Sequence, residues 1–289
     1  MHPCSVWIVI KNGPIKRFLQ SGTRDPDSYE KQTYMNRNEL LESWKYEEAQ
    51  PFTGWDFSYL DGRMLEEQPT WTFSIRAAEL MRQATSVLDL DTGGGERFLK
   101  LYEYWPPKAV ATEHYPPNFK LARERLSPLG AKVVDVVLSD FDPMPFEDAE
   151  FDLVLNRHAA FNPNEVARVL TFSGSFLTQQ VHGLWAVDLL AAFDAKPQWP
   201  DATPEKYLPR LKAAGLEITN LQDWSGKLTF TDVGAIVYYL KVIPWLVPGF
   251  SVESHLEYLL KLQDQLENGE ALAFVDRKYL IEAQRPLHH

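Results

Sequence analysis

The sequence holds a single cysteine, Cys4, among 289 residues. An intrachain disulfide is therefore excluded, and so is every zinc motif built from several cysteines. The scarcity of thiols fits a reducing compartment. No apolar stretch approaches the ~18 residues that a membrane-spanning helix needs. The early run Val6 to Ile10 (VWIVI) is shorter than the ~7–15-residue core of a secretory signal, and no small-residue cleavage site comes after it. A cytoplasmic protein without membrane attachment is the expectation. Basic residues are also short: 29 Lys and Arg stand against 40 Asp and Glu, a formal net charge of −11. Chains that hold nucleic acid through its phosphates usually carry a basic surplus or stripe. The acidic balance disfavours a dedicated nucleic-acid binder while leaving room for a local basic patch.

What is present suits a folded α/β protein. Hydrophobic residues make up 45% of the chain and charged residues 24%, enough apolar material for a sizeable core. Residues 1–73 read as an irregular segment with one short helix, Glu39 to Glu48, whose Leu40, Leu41 and Trp44 share a face. Pro51, Gly54, Asp61-Gly62 and Pro69 break the chain beyond that helix. From Ser74 onward strands and helices alternate. Strand-like runs occur at Ser86–Leu90, Ala109–Glu113, Lys132–Leu138, Phe151–Leu155 and Gly174–Val181, with helical patterns between them. That rhythm implies a parallel sheet with helices on both faces and right-handed crossovers. Later come a helix over Pro204–Ala214 stopped by Gly215, a strand over Leu216–Trp224, helices over Asp232–Val242 and Val252–Leu266, and a long strand over Leu272–Ala283.

The chemistry concentrates in VLDLDTGGGER, Val87 to Arg97. An apolar strand runs straight into Gly93, Gly94 and Gly95, and a helix begins near Glu96. Glycines permit positive φ and let a ligand approach the backbone. The loop lies at the carboxyl end of a parallel strand, where open α/β sheets bind ligands. Glu113 ends the next strand, about twenty residues later, and a carboxylate there can accept both hydroxyls of a ribose. A dinucleotide and another adenosine-containing ligand fit this pattern equally well.

Five stretches in order resemble the class I S-adenosylmethionine-dependent methyltransferases, of the methyltransferase type 11-like kind. They are Asp89-Leu90-Asp91-Thr92-Gly93-Gly94-Gly95, then Glu113, then Ser139-Asp140-Phe141-Asp142-Pro143, then Phe151 to Asn156, and finally Glu165–Leu170 with the turn Phe172–Phe176. The resemblance implies a Rossmann-like, seven-stranded, mostly parallel sheet with a final antiparallel strand. Residues 74–289 would form the core that binds S-adenosylmethionine, and residues 1–73 together with a helical insertion at 232–269 would form a mainly helical cap. Asp89 would sit near the methionine end of the cofactor, where a carboxylate suits ammonium and sulfonium charge. Asp91, Gly93, Gly94 and Gly95 would line the cofactor, Glu113 would hold the ribose, Asp140 the adenine amino group and Phe141 the adenine face, and Asn156, at the tip of the fourth core strand, would also bind the cofactor. Asp91 departs from the family pattern, which has glycine there. It would either crowd the cofactor or turn away and bond to the loop amides.

The acceptor is approached by elimination. Carbon-5 methylation of a pyrimidine needs a nucleophilic thiol, and Cys4 lies outside the core. Methylation of an adenine amine typically uses an Asn/Asp-Pro-Pro-aromatic loop, whereas this chain has Asn156-Arg157-His158-Ala159. A metal centre is not expected. Asn156 and His158 are the candidate catalytic residues, His158 as a base or hydrogen-bond partner and Arg157 as a clamp for carboxylate or phosphate. Gln179, Gln180 and His182 are further pocket candidates. Trp55, Phe57, Tyr59, Trp71, Phe73, Tyr238, Tyr239 and Trp245 form either a lid or a hydrophobic seam. A small-molecule acceptor is the leading expectation. The alternatives are a base in rRNA or tRNA, a module that binds an adenosyl ligand without catalysis, and a nicotinamide dehydrogenase with a degenerate glycine loop, which the Asp140 segment and the lack of GxGxxG disfavour.

Overall fold

The computed structural model describes residues 36–52, 56–139 and 141–287. Cys4, the Val6–Ile10 run, Trp55 and Asp140 lie outside them. Residues 37–289 form one compact unit. Among the described residues no helix is long and apolar enough to cross a membrane.

Eight strands make a single sheet: β1 (Met64–Glu66), β2 (Ser86–Leu90), β3 (Lys108–Thr112), β4 (Lys132–Val134), β5 (Phe151–Arg157), β6 (Leu170–Val181), β7 (Glu217–Phe230) and β8 (Leu272–Gln284). Their spatial order is β1-β7-β8-β6-β5-β2-β3-β4. The pairs from β4 through β6 are parallel, and β8 runs antiparallel to both β6 and β7. The seven expected strands are all present. The eighth, β1, comes from the segment read as irregular: Met64 to Glu66 pairs with the far end of β7, Met64 opposite Phe230. A three-residue strand flanked by turns carries too little pattern to be recognised locally.

Nine helices accompany the sheet in the described residues: α1 (Arg37–Ala49), α2 (Phe73–Met81), α3 (Glu96–Leu99), α4 (Pro116–Leu126), α5 (Pro163–Val169), α6 (Val187–Ala192), α7 (Pro204–Ala213), α8 (Val233–Val242) and α9 (Leu256–Glu267). Side chains alternate across each strand, so the sheet feeds two cores. Leu88, Val154, Phe176 and Ile281 face α5 and α7 with Phe161, Val166 and Leu211. Val87, Leu155, Leu177 and Leu280 face α2, α3 and α4 with Met81, Phe98 and Leu126. A third core joins Leu40, Trp44 and Leu60 to α6, α8 and α9 and to the ends of β7 and β8. Helix α8 (VGAIVYYLKV) is apolar nearly all round, and nine of its ten residues are buried, as such a helix requires.

Three boundaries differ from the sequence expectation. The run Lys132–Leu138 is strand only to Val134, because its partner β3 ends at Thr112, opposite Val134. The remainder, Asp135–Leu138, continues as an irregular edge. The helix expected to begin near Glu96 closes already at Leu99 and gives way to a tight turn over Tyr102–Tyr104. The last insertion helix starts at Leu256, since Ser251 and Ser254 draw the preceding residues into a side-chain-bonded turn, Ser254 N–H donating to Ser251 Oγ at 3.1 Å.

Candidate active site

The glycine loop opens where β2 ends. The backbone turns into the left-handed region at Asp91 (φ 55°), Gly93 (φ 64°) and Gly95 (φ 82°), and α3 begins directly after. Gly95 also lies close to the α4 contact: a Cβ there would meet Leu126 side-chain carbons at 3.0 Å. Two bonds from β3 hold the loop. Asp91 N–H donates to Thr112 Oγ1 at 2.9 Å, and Thr92 N–H donates to the Thr112 carbonyl at 2.8 Å.

Glu113 stands at the tip of β3 and is only 4% exposed. Its Oε1 accepts from the backbone N–H groups of His114 and Tyr115, at 2.9 and 2.8 Å, which sets the direction of the carboxylate. Asp91, Gly93 and Glu113 share the wall of one cavity of about 600 Å³ with His158, Ala159 and Val136. Burial raises the pKa of Glu113, and the neighbouring Asp91 adds to the effect through like-charge repulsion. Asp91 is itself raised by desolvation. Asp89 is half-buried at the end of β2; burial, then the charge of Asp91, pushes its carboxyl up to about 7.

His158 comes after Arg157, the last residue of β5, and is also in the left-handed region (φ 69°), which turns the chain from strand to cavity wall. Its ring lines the cavity, and the residue is exposed there. Desolvation, then the cations Arg157, Arg97 and Lys278, hold its pKa well below the ordinary value, so the ring is neutral at pH 7. A chain of bonds sets its tautomer. The Trp71 indole N–H, which can only donate, gives to Gln179 Oε1 at 2.8 Å. Gln179 Nε2 therefore faces His158 Nε2, at 3.2 Å. The imidazole Nε2 accepts, and its proton resides on Nδ1.

The structure brings Asp91, Gly93, Glu113 and His158 together and sets other sequence candidates apart. Asn156 is fully buried among Thr178 and Gln180, whose Oγ1 and Nε2 both donate to its Oδ1. Gln180 also donates to the Ala159 carbonyl at 3.0 Å, bracing the loop below the cavity. His182 is buried, its Nδ1 accepting from Leu184 N–H at 3.0 Å. Gly94 packs against Arg125, whose Nη1 donates to its carbonyl at 2.8 Å. Phe141 is 84% exposed, on a loop where Ser139 Oγ accepts from its N–H. Residues missed by sequence reasoning are Phe52, His114, Tyr115, Asn118 and Val136–Leu138, all on the cavity wall. The aromatic pair after Glu113 was the available signal. Phe52 had none, because its position is set by packing against Phe57 and Tyr238.

Residues 87–178 match the family model described as a methyltransferase domain, from the strand before the glycine loop to the middle of β6. Residues 87–178 are a methyltransferase domain. No curated protein sequence matches the chain. Among solved structures, a Bacillus halodurans C-125 protein described as a candidate methyltransferase shares the fold at 20% identity and a TM-score of 0.53, covering 74% of this chain and 97% of its own. The YcgJ protein of Bacillus subtilis is similar at 18% identity and a TM-score of 0.53, with the same coverage of 74% and 97%. A functionally unknown protein of Deinococcus radiodurans R1 shares 15% identity, with a TM-score of 0.53 over 77% of this chain and 90% of its own. The methyltransferase domain thus spans β2 to β6, and β1, β7, β8 and the helices around α8 lie outside the matched residues.

Proposed function

We propose that the chain binds S-adenosylmethionine in the cavity beside the glycine loop and methylates a small-molecule acceptor enclosed by residues 37–73 and the α8–α9 insertion. One observation carries this reading: Asp91, Gly93, Glu113 and His158, far apart in sequence, line a single cavity of about 600 Å³. That volume lies within the ~300–1,000 Å³ usual for small-molecule sites. The residues suit the cofactor. Glu113, oriented by two amides, accepts from the ribose hydroxyls. Asp89 and Asp91 supply negative charge for the methionine end. The glycine loop lets the ligand lie against the backbone. Phe141, apolar and almost wholly exposed, gains burial if the adenine ring covers it.

When bound, S-adenosylmethionine supplies an electrophilic methyl group. The chain's part is to align the acceptor with it and to exclude water. His158, neutral and protonated on Nδ1, orients the acceptor as a hydrogen-bond donor. Its Nε2, the atom that would take a proton, is occupied by the Gln179 amide, so the favoured acceptors need little help in losing a proton. Asn156 supports the site from beneath, holding Thr178 and Gln180.

Calorimetric titration with S-adenosylhomocysteine, then transfer of labelled methyl to metabolite and RNA fractions, tests this function. Binding and transfer to small metabolites are expected. Absence of binding overturns the enzyme reading. Binding without transfer to any fraction supports the non-catalytic module, and label in RNA alone overturns the small-molecule acceptor.

A further inference from the structure

Near His158 stand two guanidinium groups whose side chains have no partner among the described residues. Arg157 ends β5, directly before His158, and its ladder partner is Gln179, whose amide touches the His158 ring. It points to the sheet face of Leu153 and Leu155, where α3 packs, and Arg97 stands exposed on the first turn of α3. The buried Nε of Arg157 has no hydrogen-bond partner. Among the described residues neither arginine side chain forms a hydrogen bond or lies within 4.0 Å of a carboxylate. The nearby acids are already engaged. Glu96 pairs with Arg125, while Glu66 and Asp276 both pair with Lys278, which also lies over the Trp224 ring. Three cations therefore face two carboxylates, in a chain whose net charge is −11. Each arginine lowers its own charge stability here, Arg157 through burial and then the charge of Arg97.

A buried guanidinium N–H without an acceptor is costly unless a ligand supplies one. We propose that Arg157 and Arg97 bind an anionic group of the methyl acceptor, a carboxylate or a phosphate monoester, and so restrict the substrate class to small organic acids. Guanidinium forks bind either group through paired N–H donors. The clamped anion is the anchor and not the methylated atom, because pairing withdraws its electron density. Trp71 and Trp224 flank the region and favour a flat apolar body on the acceptor. This inference rests on the proposed methyl-transfer site.

The test uses the full chain saturated with S-adenosylhomocysteine. Benzoate, phenyl phosphate and neutral benzamide are titrated and monitored by ligand-observed NMR. At least one anion should bind, and benzamide should bind at least fivefold more weakly. The stronger anion tells carboxylate from phosphate. Arg157→Gln and Arg97→Gln should each weaken anion binding at least fivefold, with S-adenosylhomocysteine affinity within twofold of the native chain. Arg157→Gln should also melt at a higher temperature than the native chain without anion, since it relieves the repulsion. Equal binding of benzamide, no binding of either anion, or unaltered binding in both variants overturns the proposal. Loss of S-adenosylhomocysteine binding by the native chain would instead overturn the cofactor reading, and calorimetry detects that separately.

Discussion

At the residue scale, three acids near the glycine loop share one electrostatic condition. Asp89, Asp91 and Glu113 all have raised pKa values, each from burial first. For Asp89 the sign is definite. Its folded value of about 7 exceeds the ordinary carboxylate value of ~3.9. Between those values the folded chain holds the proton more firmly than the unfolded chain, so stability falls as pH rises through the window and levels off above it. Asp89→Asn removes that penalty. Its Tm should match the native value near pH 4 and exceed it increasingly toward pH 8, as scanning calorimetry across that range would reveal. Parallel Tm curves would dismiss the burial argument. In Glu113 the same condition acts on the ligand. Glu113→Ala should weaken S-adenosylhomocysteine binding by ~1–3 kcal/mol through loss of charged hydrogen bonds, and an unchanged calorimetric Kd would remove Glu113 from the ribose site. Cofactor affinity should also decline as pH drops through the raised pKa of Glu113. Asp91→Asn should move that decline to lower pH, because the charge of Asp91 is one of its causes.

At the element scale, helix α8 depends on its first turn. Asp232 is the N-cap: its Oδ1 accepts from Ala235 N–H at 2.8 Å. The same carboxylate receives Arg63 Nε and Nη2, at 2.9 and 2.6 Å, and Arg63 extends to Glu47 on α1. One side chain thus caps a buried helix and ties it to β1 and α1. Burial alone would raise the Asp232 pKa, yet the Arg63 guanidinium and the cap bond hold it below the ordinary value. Stability from a lowered carboxylate is present above the unfolded value and lost as pH falls through the folded one. Asp232→Ala should cost about 2 kcal/mol at pH 7, a cap contribution plus a partly buried pair. The deficit, read from urea unfolding, should shrink below about pH 4. A constant deficit across pH would leave the capping geometry without its charge component. The short element β1 behaves differently, since its three residues persist through pairing with β7 and not through local preference.

At the scale of the whole molecule, the third core joins the N-terminal helix to a late insertion. Trp44 of α1 is 3% exposed and packs with residues of α8 and α9, about two hundred positions away in sequence. Trp44→Ala should destabilise the chain by about 3–5 kcal/mol, the usual cost of emptying a buried aromatic site. Because Phe52 lies just beyond α1 on the cavity wall, acceptor turnover should fall more than S-adenosylhomocysteine affinity. Denaturant unfolding and calorimetry on the same variant separate the two effects. Equal losses would mean that this core supports the cofactor site directly.

The alternation of apolar strands and helices, the glycines after β2 and the acid after β3 were legible along the chain. Each is a local signal: period-two burial, positive φ and a charged residue at a strand end. The parallel strands, the glycine loop and the position of Glu113 at a strand end could therefore be read without coordinates, while the antiparallel last strand was implied by the family resemblance. Other features depended on contacts between distant segments. β1 exists only through β7, and Phe52 reaches the cavity only through Phe57 and Tyr238. Asn156 and His158, two positions apart, receive opposite fates. Strand alternation and a left-handed turn bury the amide among Thr178 and Gln180 while turning the imidazole to the cavity. His158 read in sequence as a base or hydrogen-bond partner; the Trp71–Gln179–His158 chain of bonds, drawn from three separate segments, makes it a donor. Local pattern determined the strand–helix order and the glycine loop because both are short-range signals. The protonation of His158 and the unpaired state of Arg157 were decided by tertiary structure alone, since the groups that set them converge only when the sheet closes.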